Sequence, residues 1–177
     1  YQTIYAEKMG AIAAPTAGLH FTTNLLQEIS RKGIKIVYIT LHVGLGTFKP
    51  IHTEDLRQHT IHKEFYNIPE ETTDTINKAK SLGKKIFATG TSTCRVLETI
   101  AKNNTTEKSS GWTNLFIYPP YKFKLTDSLI TNFHLQRSTL ILLASAFAGR
   151  ENIATSYEEA ISLNYRFYSY GDCMLIL

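Results

Sequence analysis

The sequence predicts an α/β fold: a mixed, largely parallel sheet or open barrel flanked by helices. Three observations carry this. Short β-branched or aromatic runs alternate with helix-length amphipathic segments. Several runs end in a glycine- or hydroxyl-rich loop just before a helix start, as at Gly90-Thr91-Ser92-Thr93. The 177 residues are 43% hydrophobic and 19% charged, enough apolar surface for a full core and too little charge for disorder.

Residues 1–14 read as a strand-like opening without an initiator methionine or leader, as if the chain began inside a longer enzyme. Pro15 and Gly18 then punctuate a small-residue loop that carries His20. Thr22 or Thr23 caps a helix over about 24–32, with Leu25, Leu26 and Ile29 inward and Gly33 as the stop. Residues 34–40 are β-branched and aromatic and read as a buried strand. It leaves through His42, Gly44, Gly46 and Thr47, a loop where a ligand can approach the backbone. Residues 51–68 read as a polar surface segment. His59 and His62 have the spacing of a zinc pair, but no second ligand pair follows, so no metal is expected.

Pro69 opens a helix to about Leu82, with Glu70 and Glu71 at the positive end of its dipole. Residues 84–89 form the next strand. The 90–95 loop after it suits a carboxylate, ribose hydroxyl or phosphate at the helix N-terminus. The plainer alternative is N-capping by Ser92 or Thr93, with Arg95 a surface charge that pairs with Glu98. A loose loop spans about 101–111 and a strand 112–118. Tyr121, Lys122, Phe123 and Lys124 interleave aromatics with lysines, a pattern for stacking on unpaired bases or for a hairpin edge with extended lysines. A strand at 129–135 ends at His134, Ser138 caps an apolar helix over 139–148, and a further helix and a last strand at 173–177 close the chain.

The formal net charge of +4 permits an acidic partner such as RNA without demanding one. Two cysteines, Cys94 and Cys173, make no disulfide framework, and no twenty-residue apolar run is present. These features lead us to expect a cytoplasmic monomer with no membrane contact.

Five stretches in this order are more specific than any one alone: Pro-Thr-Ala-Gly-Leu-His-Phe at 15–21, Leu-His-Val-Gly-Leu-Gly-Thr-Phe at 41–48, Ile-Thr-Asn-Phe-His-Leu at 130–135, Ser-Ala-Phe-Ala-Gly-Arg-Glu-Asn at 145–152 and Tyr-Arg-Phe-Tyr-Ser-Tyr-Gly-Asp at 165–172. Together they resemble the C-terminal half of the S-adenosylmethionine:tRNA ribosyltransferase-isomerase family of queuosine biosynthesis. The departures are local: Pro120 where the family has Gly, Gln136-Arg137 for Pro-Lys, Gly-Thr-Ser-Thr at 90–93, and Cys173 for Ala.

The resemblance implies that residues 1–177 are the C-terminal part of the α/β catalytic domain, with no second domain and without the family's inserted β-barrel. It implies transfer and isomerisation of the ribosyl group of S-adenosylmethionine onto 7-aminomethyl-7-deazaguanine at the tRNA wobble position. Epoxyqueuosine, adenine and methionine are the products. S-adenosylmethionine is then a consumed substrate and no cofactor is expected. A base must remove a proton beside the sulfonium and an acid must help adenine leave, roles suited to histidine. The catalytic candidates are His20, His42, His134 and Asp172. Gly44, Gly46, Thr47, Thr91 and Ser92 would line the substrate crevice, and Arg95 would clamp the methionine carboxylate. Tyr121, Lys122, Lys124, Arg137 and Arg150 are the tRNA candidates. Three rival readings stand beside this one. A nicotinamide-binding domain is disfavoured because Gly44-Leu45-Gly46 lacks the third glycine. The others are a non-catalytic RNA-binding module and a truncated, catalytically incomplete form of the enzyme.

Overall fold

The computed structural model describes residues 1–44, 50, 51, 53, 55–103 and 105–177. They form two three-stranded sheets and five α-helices around a shared core. The first sheet comprises β1 (Thr40–His42), β2 (Glu64–Ile68) and β4 (Ser109–Thr113), in the order β1-β2-β4. Both of its pairings are antiparallel, with Leu41 opposite Tyr66 and Phe65 opposite Trp112. The second sheet comprises β3 (Phe87–Thr89), β5 (Ser128–Asn132) and β6 (Cys173–Ile176). Here β3 and β5 run parallel, Ala88 opposite Leu129, and β6 closes the sheet antiparallel to β5.

The mixed α/β class is therefore present, but the largely parallel pairing holds only for β3 and β5. That pair has the crossover that parallel strands require, with a helix packed on it. The helix is α3 (Thr91–Ile100). Its buried Cys94, Val96, Leu97 and Ile100 join Tyr66 and Ile68 of the first sheet to Ala88 and Leu129 of the second. One apolar cluster thus ties both sheets to α3, and Leu143 of α4 (Thr139–Ala148) packs into it.

Capping sets the other helix starts much as expected. The Thr22 side chain accepts from the Leu25 N–H to begin α1 (Thr23–Arg31), and Ser138 accepts from the Ile141 N–H to begin α4. Glu70 and Glu71 occupy the first turn of α2 (Glu70–Ser81). Gly149 separates α4 from α5 (Arg150–Ser162).

The strands depart more from the sequence reading. Among residues 34–42 only 40–42 pair with another strand, and Ile34, Val37 and Tyr38 are exposed. The segment read as polar surface contains β2. Its buried positions alternate at Glu64, Tyr66 and Ile68, and the charged residue among them hides the pattern. Residues 1–14 form no strand, and β4 lies earlier than the predicted 112–118 run. No helix among the described residues is long and apolar enough to cross a membrane.

Candidate active site

The crevice lies beyond the carboxyl ends of the parallel pair, where ligands gather in open α/β sheets. Thr91, Ser92 and Thr93 of α3, Thr131 and Asn132 of β5, His134, and the 15–17 turn line it, with Val43. It encloses about 30 Å³, room for about two water-sized groups at ~10–15 Å³ each.

Gly90 begins α3 with φ +92, a left-handed value that favours glycine, and no side chain caps the helix. The plainer alternative, in which Ser92 or Thr93 is the N-cap, is therefore not what the helix start shows. The first-turn N–H groups of α3 have no helical carbonyl to donate to and open toward the crevice. The turn at Thr16–His20 packs beside it: a Cβ built on Gly90 would sit in ordinary contact, 3.8 Å from the Ala17 Cβ, so the backbone angle alone favours glycine here.

That turn delivers His20. Asn132 Nδ2 lies 3.0 Å from His20 Nε2 and 3.3 Å from the Tyr168 carbonyl oxygen. A carbonyl oxygen only accepts, so the amide nitrogen must face it, and the same nitrogen donates to His20. His20 Nε2 is therefore the acceptor, and the proton of the neutral ring sits on Nδ1. Asn132 is 2% exposed, and its Oδ1 has no hydrogen-bond partner among the described residues.

His134 is held at both ends. Its Nε2 lies 2.6 Å from Thr131 Oγ1, and its backbone N–H donates to the Tyr157 hydroxyl at 2.7 Å. Burial pushes its pKa down to about 4, so the ring is neutral at pH 7. His42 ends β1 beside Val43, with its ring 5.1 Å from that of Phe65. Gly10 covers the ring so closely that a Cβ there would lie 2.7 Å from Cε1. His42 Nε2 is buried and has no hydrogen-bond partner among the described residues.

Asp172 is already engaged. Its carboxylate accepts from the Arg166 backbone N–H at 2.7 Å and from Arg166 Nη2 at 2.8 Å, closing the 166–172 loop. Hydrogen bonds from Arg166 hold its carboxyl below the usual range, and His20 adds to the effect.

The crevice thus gathers Thr91, Ser92 and His134 directly, and His20 through Asn132. Gly44 follows β1, half-buried, while Gly46 and Thr47 lie outside the described residues. Arg95 is not among them. It is 2% exposed and paired with Glu64 of β2, which is 1% exposed, so its guanidinium serves the interior rather than a ligand carboxylate. The alternative pairing with Glu98 does not form either. Glu98 instead accepts from the backbone N–H groups of Lys124, Leu125 and Thr126. Of the tRNA candidates, Lys122, Lys124, Arg137 and Arg150 are exposed and Tyr121 is half-buried. Arg137 precedes α4 and Arg150 opens α5, apart from the 121–124 group in the chain. Among the described residues, no group of three or more His, Cys, Asp or Glu side chains could hold a metal.

The site residue that sequence reasoning missed is Asn132. The available signal was a buried amide between Thr131 and His134 at the end of a strand.

The family described as queuosine biosynthesis protein matches residues 1–176. An S-adenosylmethionine:tRNA ribosyltransferase-isomerase from Acetivibrio thermocellus is 58% identical over 177 residues, covering 99% of this chain and 52% of that protein. One of the same description from Clostridium kluyveri is 53% identical, with the same shares covered. A crystal structure of an S-adenosylmethionine tRNA ribosyltransferase from Thermotoga maritima superposes with a TM-score of 0.76 at 45% identity, covering 92% of this chain and 51% of that one. The chain spans about half the length of the curated relatives it matches.

Proposed function

Because this chain belongs to the queuosine biosynthesis protein family, we propose that it is the C-terminal part of the catalytic domain of an S-adenosylmethionine:tRNA ribosyltransferase-isomerase. The reaction is transfer of the ribosyl group of S-adenosylmethionine to 7-aminomethyl-7-deazaguanine at the wobble position of tRNA, with isomerisation to the epoxycyclopentanediol of epoxyqueuosine and release of adenine and methionine. S-adenosylmethionine is consumed, and no cofactor takes part. The observation that carries the reading is the meeting of His20, Asn132, Thr131 and His134 in one crevice of a chain 58% identical to a relative of that description.

The three histidines divide by state. His42 adjoins Val43 of the crevice wall, its buried Nε2 has no hydrogen-bond partner among the described residues, and it takes the proton from the ribose carbon beside the sulfonium. His20, with its proton on Nδ1, offers that N–H as a hydrogen bond to the departing adenine. His134 is held neutral by burial and is the positioning group, a poor proton donor at pH 7. The open N–H groups at the start of α3, with Thr91 and Ser92, take the role first given to Arg95 and receive the methionine carboxylate. Asp172 acts through its closure of the 166–172 loop beside His20. Gly44, Gly46 and Thr47 remain candidates for the substrate side. Tyr121, Lys122, Lys124, Arg137 and Arg150 face the tRNA.

A second reading is a catalytically incomplete tRNA-binding part of the same enzyme. The crevice volume of about 30 Å³ favours it, because a nucleoside needs far more space. Mass spectrometry of a wobble-modified anticodon stem-loop, incubated with the chain and S-adenosylmethionine, decides between them. The first reading expects the epoxycyclopentanediol mass gain with free adenine and methionine. A gain only from a chain of the relatives' full length supports the second. No gain from either overturns both.

A further inference from the structure

A larger cavity, of about 430 Å³, opens at the opposite end of α3. Its lining includes Thr99, Trp112, Asn114, Tyr121, Lys122 and Lys124. Ser92 at the crevice and Thr99 at this cavity are seven residues apart on one helix, about 10 Å at ~1.5 Å per residue. The two spaces are therefore separate, and the larger one has no part in the proposed chemistry.

Its walls have a distinct character. Trp112 is 64% exposed although it lies in β4 opposite Phe65 of β2 and packs edge-on to that ring at 5.6 Å. A large aromatic surface is thus held rigidly against solvent. Tyr121 is braced edge-on by Phe123 at 4.9 Å. The lysines are placed by Glu98, 3% exposed, whose carboxylate accepts three consecutive backbone N–H groups from Lys124 to Thr126. That carboxylate lines the cavity, engaged by the turn and by the Tyr121 hydroxyl, and Lys122 and Lys124 stand as exposed cations at the rim. The volume falls within the ~300–1,000 Å³ of small-ligand sites. Rigid aromatic faces beside cations are what an unpaired base and its phosphates require.

We propose that this cavity is a stacking subsite for an unpaired RNA base next to the reacting nucleotide, with Trp112 and Tyr121 holding the base and Lys122 and Lys124 its flanking phosphates. The proposal rests on the tRNA reading above and extends it. The base that binds here is a neighbour of the modified one, because the crevice lies about 10 Å away along α3 at ~1.5 Å per residue. Asn114 offers an amide to the base edge at the mouth. Sequence selectivity is modest, since every base has a face to stack.

Trp112 is the only tryptophan in the chain, so emission comes from the wall of this cavity. The test titrates the chain with an unmodified anticodon stem-loop RNA. Emission of Trp112 and anisotropy of a labelled copy of the RNA are followed together. Quenching that saturates at the Kd read by anisotropy supports the subsite. So does a roughly tenfold loss of affinity in Trp112→Ala, with binding retained in Trp112→Phe, as expected for base–aromatic stacking of ~1–3 kcal/mol. Replacing Lys122 and Lys124 with Gln lowers the slope of log K against log salt by about 1.4, at ~0.7 per phosphate on a single strand. RNA that binds by anisotropy with Trp112 emission unchanged, and equally tightly to Trp112→Ala, overturns the subsite and leaves the tRNA reading standing. A free mononucleotide that quenches as well as the stem-loop overturns the RNA assignment. Quenching by a wobble-modified stem-loop that gains no ribosyl group from S-adenosylmethionine, even with a chain of the relatives' full length, upholds the subsite while the enzymatic reading fails.

Discussion

The two ends of α3 are built for different tasks. At its N-terminus the space is narrow and the groups around it are fixed by direct hydrogen bonds: Asn132 to His20, Thr131 to His134, Tyr157 to the His134 backbone. Toward its C-terminus the space is more than ten times larger, and its aromatic and cationic groups are exposed or half-buried. Proton transfer depends on which ring nitrogen carries the proton, so the narrow end needs a fixed tautomer. Stacking and phosphate contacts tolerate lateral freedom, so the broad end needs only stiff aromatic faces and nearby charge. Between the two sits Arg95, whose buried pairing with Glu64 ties α3 to β2.

That middle anchor gives the largest expected effect. Arg95→Ala leaves the Glu64 carboxylate in the interior without its cation, a class of change that costs about 3–5 kcal/mol. Urea unfolding should show it, and both ends of α3 should lose their ligands together. A change confined to one end would mean that Arg95 does not support the helix as a whole.

Asn132→Ala comes next. It removes the donor to His20 Nε2 and to the Tyr168 carbonyl. Loss of the partner for buried polar groups costs about 1–3 kcal/mol. It also frees the His20 tautomer, so ribosyl transfer should fall while Trp112 quenching by RNA is kept. Equal losses of RNA binding and transfer would contradict a tautomer role.

The third effect vanishes at neutral pH and appears only on acidification. His134 has a folded pKa of about 4, below the ordinary histidine value of ~6.5. The unfolded chain therefore binds the proton more readily between these values. The contribution of His134 is fully present above about 6.5 and is lost as pH falls through about 4. The urea midpoint of the parent should drop across that window, and His134→Gln should flatten the drop. An unchanged pH slope in the variant would show that His134 is not the titrating group.

Much of this was legible in local sequence. Thr22, Ser138 and the Glu70-Glu71 pair announce their helices because capping and dipole effects act within one turn. The loop histidines stand out because glycine and small residues surround them. What was not legible depends on distant partners. Glu64 disguised β2 because a charge on an inward position makes sense only once Arg95, thirty-one positions on, is known to meet it. The same partner removed Arg95 from the ligand clamp. Residues 34–39 have strand composition, but pairing decides strands, and only Thr40–His42 finds β2. The antiparallel closure by β6 could not be read from its four residues. Asn132 reads locally as the end of a strand, and its task becomes visible only when His20 and the Tyr168 carbonyl arrive from opposite ends of the chain.

The central claim is that chemistry and base holding are divided between the two ends of α3. The most direct measurement is single-turnover ribosyl transfer to a wobble-modified stem-loop at increasing RNA, comparing the parent with Asn132→Ala and Trp112→Ala. The claim predicts that Asn132→Ala stays slow at saturating RNA, whereas Trp112→Ala approaches the parent rate once RNA is raised about tenfold, the loss expected from one stacked base. A Trp112→Ala rate that stays low at saturation, or an Asn132→Ala rate rescued by more RNA, would contradict it.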